Sequence, residues 1–348
     1  MMLKRVLRST VAEACNFAGV VKRAEDRLRG SLTILCYHRI LPPKNKEAYF
    51  SPDLVVTPGA FAAHCAALDA HYDVHALAKA FDMLRKGEMG NRPLAAITFD
   101  DGYRDNFKYA APILEARGLR ATFFVVAGLV GAQEAPWYDI LSRAVVTLSA
   151  AGRLESSLDE VALCSGLLAG MGRNPNSVVQ AAKLLAPDAR ASVVARLAKL
   201  AGGDRLDPDL DTIMTWQELK FLQSAGHEIA SHTVSHEILP SLGEEALMHE
   251  LVESKRILER GLGASVQGFC YPNGDVDEET LGAVKLADYS YACTMRKGTN
   301  HDGGSPFELR RWFICERRLL GAWGKPSSSL IRLELTGLAD HFFQRNRP

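Results

Sequence analysis

Two adjacent carboxylates, Asp100 and Asp101, and two histidines four residues apart, His232 and His236, are the positions of this 348-residue chain best equipped for chemistry. The carboxylates lie in the run Thr98-Phe99-Asp100-Asp101-Gly102, and the apolar approach Leu94-Ala95-Ala96-Ile97 reads as a short buried strand that ends at them. Neighbouring carboxylates at a strand end need a cation, a shared proton or a polar partner to coexist. Histidines at i and i+4, here within His232-Thr233-Val234-Ser235-His236, converge on one metal from a helical turn or from a loop curled like one. One Asp with two His makes a three-donor set that leaves positions open for water and substrate. The second Asp is then free to act as a base, and the combination describes metal-assisted hydrolysis. Oxygen and nitrogen donors without thiolate suit one divalent ion, Zn2+ first, then Co2+, Ni2+ or Mn2+.

The elements that position these residues alternate. Strands are expected at Leu32–Tyr37, Leu94–Phe99, Ala121–Val126, His227–Ser231, Gln267–Tyr271 and Tyr289–Thr294. Between them, Thr57 and Pro58 open a helix with Phe61, Cys65 and Leu68 on its buried face, and a second helix runs from about Asn106 to Arg117. Leu247, Leu251, Leu258 and Leu262 form one stripe of a long helix that stops near Gly261 or Gly263. This alternation argues for a parallel sheet, with barrel and open sheet equally compatible. Residues 137 to about 212 interrupt it with four helical patterns, Trp137–Leu148, Leu158–Leu168, Ser177–Leu185 and Ala189–Leu200. They follow a strand end, so a helical cap beside the site, or a stabilising decoration, is expected there.

Composition narrows the class. Lys plus Arg and Asp plus Glu both number 41, so no overall charge points to nucleic acid or a polyanion. The charge is uneven: residues 1–30 carry Lys4, Arg5, Arg8, Lys22, Arg23, Arg27 and Arg29 against Glu13, Glu25 and Asp26. In that segment Leu3, Leu7, Thr10, Ala14, Phe17 and Val21 recur at helical spacing. Its apolar run Val11–Val21, broken by Glu13 and Asn16, is too short and polar for a bilayer span or an export signal. Two readings follow: a helix packed on the enzyme body, or a basic amphipathic helix drawn to anionic membrane. Seven scattered cysteines without a CxxC pair argue against a disulfide framework and for a reducing compartment.

The chain resembles the polysaccharide deacetylases, the carbohydrate-esterase group sharing the NodB homology domain. The resemblance rests on Thr98–Gly102 and His232–His236. It is supported by Tyr103-Arg104-Asp105-Asn106, Pro112-Ile113-Leu114, Ala121–Val125, Trp216 and Gly226-His227-Glu228-Ile229, and covers roughly residues 31–315 less the helical insertion. It implies a distorted (β/α) barrel of the NodB type with about seven parallel strands, the active residues at their carboxyl ends. It further implies Asp100 as general base, and the backbone N–H of Asn273, in Phe269-Cys270-Tyr271-Pro272-Asn273-Gly274-Asp275, as an oxyanion donor.

There are departures. Cys270 stands where family members often carry the arginine that tethers the base, and Asn273 where they often carry Tyr. Arg310 or Arg311 is the candidate to replace the missing charge. Tyr271, Pro272 and Arg311 are also expected to contact substrate. The family's last motif, Leu-x-His, has no secure counterpart, His341 being the nearest. His38, in Cys36-Tyr37-His38-Arg39 at the first strand's end, is the candidate acid or substrate contact.

The expectation is a cytoplasmic, metal-dependent amide hydrolase, with residues 1–30 as an N-terminal segment and 31–348 as the catalytic domain. It would remove the N-acetyl group of an amino sugar in a nucleotide- or lipid-linked intermediate of an envelope or exopolysaccharide. A deformylase, or a sugar-binding relic without turnover, is the alternative. A two-metal phosphoesterase would need more ligands than are visible.

Overall fold

The computed structural model describes residues 2–132, 135–165, 175–203 and 210–343. Seven strands run parallel in chain order: β1 (Ser31–Tyr37), β2 (Leu94–Phe99), β3 (Ala121–Val125), β4 (Glu228–Ser231), β5 (Gly268–Cys270), β6 (Tyr291–Cys293) and β7 (Trp312–Phe313). Each pairs with the next as far as β6. The last, β7, returns to β1 through Leu35↔Trp312 and Cys36↔Phe313. A single parallel bridge, Cys293↔Leu309, links β6 to the segment leading into β7. The sheet therefore curls into the distorted barrel that the resemblance implies. Strands β1, β2 and β3 are buried at every position, as apolar runs covered on both faces must be. Rings of Phe99 and Phe123 stack with centroids 5.0 Å apart in their midst.

Helices α1 (Met2–Phe17) and α2 (Val20–Arg27) precede the barrel, and α3 (Pro58–His71) follows β1. Thr57 caps α3, its hydroxyl accepting from the Ala60 N–H at 3.4 Å, with Pro58 supplying the first turn. The expected helix over Asn106–Arg117 is split into a π-helical turn at Asn106–Ala110 and a short helix at Ala111–Glu115. Pro112, which has no N–H to donate, lies at the join.

The insertion consists of α4 (Trp137–Ala150), α5 (Leu154–Ser165), α6 (Pro175–Lys183) and α7 (Pro187–Leu200). Residues 166–168 of the expected second helix lie outside the described residues. Leu141, Val145, Leu148, Val178, Val193 and Leu197 give these helices an apolar cluster of their own. Their tie to the barrel is polar. Asp139 on α4 accepts from the hydroxyls of Tyr49 (2.9 Å) and Tyr103 (2.8 Å), while Arg39 lies over the Tyr103 ring and pairs with Asp105 at 2.6 Å. Burial pushes the Asp139 carboxyl up to about 6 against the pull of Arg39 and both hydroxyls.

After the insertion come α8 (Trp216–Ser224), opened by a capping box of Thr215 and Glu218, and α9 (Glu244–Leu262). Leu247, Leu251, Leu258 and Leu262 are the buried stripe of α9, each worth about 1.5–3 kcal/mol of burial, and the helix stops at Gly263 with φ 70°. The last helix needed here, α10 (Ser328–Leu335), receives the N-terminal segment. Glu25 pairs with Arg332 through two 2.7 Å bonds, Glu13 accepts from Ser329 at 2.9 Å, and Ala12 is fully buried. The face of α1 that packs is thus not its apolar stripe. Leu3 is 82% exposed, Leu7 62% and Phe17 96%, with Thr10 and Ala14 exposed between them.

Candidate active site

Asp100 and Asp101 leave β2 in opposite directions because the backbone turns left-handed immediately after Asp100. Asp101 has φ 72° and Gly102 φ 79°, and a side chain at residue 102 would meet Val125 Cγ1 at 3.0 Å. Asp100, its N–H bonded to the Tyr37 carbonyl at 3.0 Å, turns its carboxylate inward. There Arg311 meets it with Nη1 to Oδ1 at 2.7 Å and Nη2 to Oδ2 at 2.8 Å. Arg311 is itself held by the Thr294 carbonyl at 3.0 Å and rests against the Cys270 sulfur at 3.0 Å. Burial raises the Asp100 carboxyl, but the guanidinium outweighs it and holds the group down to about 2. Arg311 thus makes a bidentate contact to Asp100 that the cysteine at position 270 cannot make. Its side chain is fully buried behind the Asp100 carboxylate and is not among the residues lining the cavity, unlike the substrate contact expected of it. Arg310 instead extends beside Gly298.

Asp101 faces the histidines. Its Oδ1 lies 3.3 Å from His236 Nε2 and 3.6 Å from His232 Nε2, and donor atoms of the three residues fall within 4.8 Å of one another. Burial would raise the Asp101 carboxyl, yet the histidines bring it well below the ordinary range. His232 Nδ1 meets the Cys270 carbonyl at 2.7 Å, which fixes that nitrogen as the donor and leaves Nε2 with its lone pair toward Asp101. Burial holds its imidazolium form down, to about 4. The histidine motif is a loop rather than a helical turn. Thr233 and His236 have φ 68° and 62°, and Glu250 of α9 braces the loop, accepting from the N–H groups of Val234 (2.7 Å) and Ser235 (3.0 Å) and from the Ser235 hydroxyl (2.6 Å).

The donor set fits a divalent ion. Two imidazole nitrogens of settled or available lone pair and one ionised carboxylate converge at buried positions, a costly juxtaposition without a cation. The thiols of Cys36 and Cys270 also approach Asp100, at 3.4 and 3.8 Å. Burial pushes both well above the ordinary thiol range, so they stay protonated and are poor ligands.

These groups open into a cavity of about 440 Å³ lined by His38, Asp100, Asp101, His232, His236, Tyr271 and Asn273. His38 Nε2 lies 3.9 Å from Asp100 Oδ2, at the rim where the sequence places it. Asn273, at φ 60°, lines the cavity, and Tyr271 donates to the Phe307 carbonyl at 3.0 Å. Pro272, expected to contact substrate, is buried and is not among the residues lining the cavity. His341 sits on the terminal helix beside Phe342, away from the cavity. A larger hollow of about 730 Å³, between the π-turn and α8, contains none of the convergent groups, and its Arg104 and Glu218 satisfy each other at 2.7 Å.

Sequence reasoning expected a helical cap beside the site but did not name the residues that line the cavity. Tyr138 of α4 and Val179, Gln180 and Lys183 of α6 line the same cavity, and Lys183 Nζ donates to Asn273 Oδ1 at 2.7 Å. Arg190 of α7 forms a buried pair with Glu237, the residue after His236. Nothing in the spacing of these helical residues distinguishes them from ordinary insertion surface.

Comparison with known proteins agrees with this geometry. Among curated proteins, YxkH of Bacillus subtilis (strain 168), assigned to the polysaccharide deacetylases, is 21% identical over 281 residues, 80% of this chain and 70% of that one. Among solved structures, IcaB from Ammonifex degensii aligns with a TM-score of 0.57 at 18% identity, covering 88% of this chain and 97% of the other. The Streptococcus pyogenes deacetylase PplD, solved with acetate, aligns at 0.55 and 18% identity over 82% and 92%. Both share the fold. The sequence model of the Polysaccharide deacetylase family matches residues 87–292, from the approach to β2 through β6, and the chain belongs to that family.

Proposed function

We propose that the protein hydrolyses the N-acetyl group of an amino sugar within a saccharide or lipid-linked saccharide, using one divalent ion held by Asp101, His232 and His236. The observation that carries this reading is the Asp100–Arg311 pair, which keeps a buried carboxylate ionised at neutral pH beside an intact donor set. A sugar-binding relic has no need of a free base so placed, and the replaced tether supports turnover. The ion, Zn2+ by the chemistry of the donors, would supply carbonyl polarisation and acidification of water.

The chain's own groups do the rest. Asp100 accepts the proton of the attacking water, with Arg311 fixing both carboxylate oxygens so that the acceptor cannot rotate away. The Asn273 N–H stabilises the oxyanion. His38, at the cavity rim, protonates the departing amine. Stripping the protein with a chelator and restoring Zn2+, Co2+, Ni2+ or Mn2+ tests this on N-acetyl and N-formyl glucosamine oligosaccharides. Turnover should vanish and return with metal, and faster release of formate would make the enzyme a deformylase. Undiminished turnover in metal-free protein would refute the reading.

We further propose that residues 1–30 attach the enzyme to anionic membrane on the cytosolic side. Exposed Leu3, Leu7 and Phe17 form one stripe, Lys4 is exposed beside it, and Trp323, 77% exposed, sits on a turn packed against α1. The packing face of α1 is already occupied by α10, so among the described residues nothing covers this stripe. Cys15, Cys36, Cys65, Cys270, Cys293 and Cys315 are free thiols. Co-sedimentation with acidic vesicles should exceed that with neutral ones, weaken with salt and fall in a Leu3→Ser, Leu7→Ser double variant. Equal recovery from both lipids would discard the proposal.

A further inference from the structure

Lys183 is the one cation that the insertion places in the catalytic cavity among the described residues. It ends α6, and its ammonium is spent on a neutral acceptor, the Asn273 side-chain carbonyl at 2.7 Å. The Asn273 amide in turn donates to Asp275 at 2.6 Å, so a carboxamide separates the ammonium from the nearest carboxylate on that turn. No carboxylate of the described residues lies within ion-pair distance of Lys183. Burial accordingly lowers its ammonium form, with the more distant Asp101 and Asp275 resisting. An ion on Asp101 would withdraw part of that remaining support. A cation partly withdrawn from water, held by a neutral group and facing an open cavity, has an unmet preference for an anion. Gln180, one turn earlier on α6, and Ser51 across the cavity add neutral hydrogen-bonding groups to the same wall. All three stand outside the motifs that carry the hydrolysis.

We propose that Lys183, with Gln180, forms a subsite for an anionic oxygen group, phosphoryl or carboxylate, carried by the substrate next to the acetamido sugar. The reading deepens the proposed function. It makes the insertion a specificity element, because an anion there fixes the sugar against the Asn273 turn while the floor acts on the acetamide. Lys183 is then a substrate-binding residue, and its grip on Asn273 is exchanged for, or shared with, the incoming anion.

The experiment compares N-acetylglucosamine, its 1-phosphate and the corresponding N-acetylated uronic acid on wild-type, Lys183→Met and Lys183→Arg proteins. The measured quantity is the ratio of kcat/KM for each anionic sugar over the neutral one, which cancels any loss common to all substrates through the Asn273 turn. Wild type should prefer an anionic sugar. Lys183→Met should lower that ratio by about 10- to 100-fold, chiefly through KM, and Lys183→Arg should retain most of it. The wild-type KM for the preferred anion should rise with ionic strength, and that for the neutral sugar should not. Which anionic sugar is preferred distinguishes phosphoryl from carboxylate. No anionic preference in wild type, or a ratio unmoved by Lys183→Met, overturns the subsite. Calorimetric binding of the same sugars to Asp100→Asn protein, with and without Lys183→Met, separates this from the deacetylase reading. If no sugar is hydrolysed, a Lys183-dependent preference in binding upholds the subsite while the proposed reaction fails, and its absence overturns the subsite as well.

Discussion

The floor of the cavity and its outer wall answer to different constraints. On the floor, Asp100, Asp101, His232, His236 and Arg311 are all buried and are fixed by paired bonds, by left-handed backbone and by bracing such as Glu250 to the histidine loop. On the wall, Lys183 has a single polar partner among the described residues, Ser51 is half-buried and Gln180 is exposed. Charged groups withdrawn from water tolerate one arrangement, the one in which each charge meets its complement. Groups at a solvated rim tolerate many. On the proposed reading, reaction chemistry belongs to the floor and substrate choice to the wall.

The sharpest way to break this contrast lies within the floor itself. Asp100→Asn should keep its metal and lose about 10²–10⁴-fold in turnover on an amide and an activated ester alike. Asp101→Asn should lose the metal, and His38→Ala should keep it while slowing the amide more than the ester, whose leaving group needs no proton. Metal analysis beside the two assays separates the three roles. Near-normal turnover in Asp100→Asn would assign the base elsewhere.

A smaller effect is expected from Arg311→Met, where a buried carboxylate is left without its partner, at about 3–5 kcal/mol of stability. The pH dependence has a definite sign. Asp100 is depressed to about 2 in the folded protein, so its pairing contributes stability above its unfolded value near 4 and loses it as pH falls through 2. Denaturant titrations should show a wide gap between wild type and variant at pH 7 that narrows below about pH 4. In the variant the largest opposition to burial at Asp100 is gone, leaving only His38 and His232, and the acid limb of turnover should move toward neutral pH. A gap independent of pH would mean that Arg311 contributes packing alone. Smallest of all, Lys183→Met should leave metal content and folding nearly unchanged. Loss of metal there would erase the distinction between wall and floor.

Much of the floor was legible because its information is local. A run such as Leu94–Phe99 is a strand wherever it is buried, and a histidine pair four residues apart brings its own convergence. The alternation of strands and helices, the Thr57 cap and the αL stop at Gly263 follow from residue types alone. Periodicity also announced an amphipathic α1, but could not say which way its stripe would face. The bonds of Glu13 to Ser329 and of Asn16 to Arg332, each 316 residues apart, set the opposite face inward.

What the sequence by itself determined is which residues could ligate and that parallel strands would end at them, while the barrel and the choice of Asp100 as the spare carboxylate rested on the family resemblance. Tertiary structure decided which arginine replaced the one absent at position 270, since Arg310 and Arg311 differ only in the side of β7's approach on which they lie. It also decided that an insertion helix would lend Lys183 to the cavity. Both are contacts across long stretches of chain, where burial and charge compensation, not spacing, select the partner.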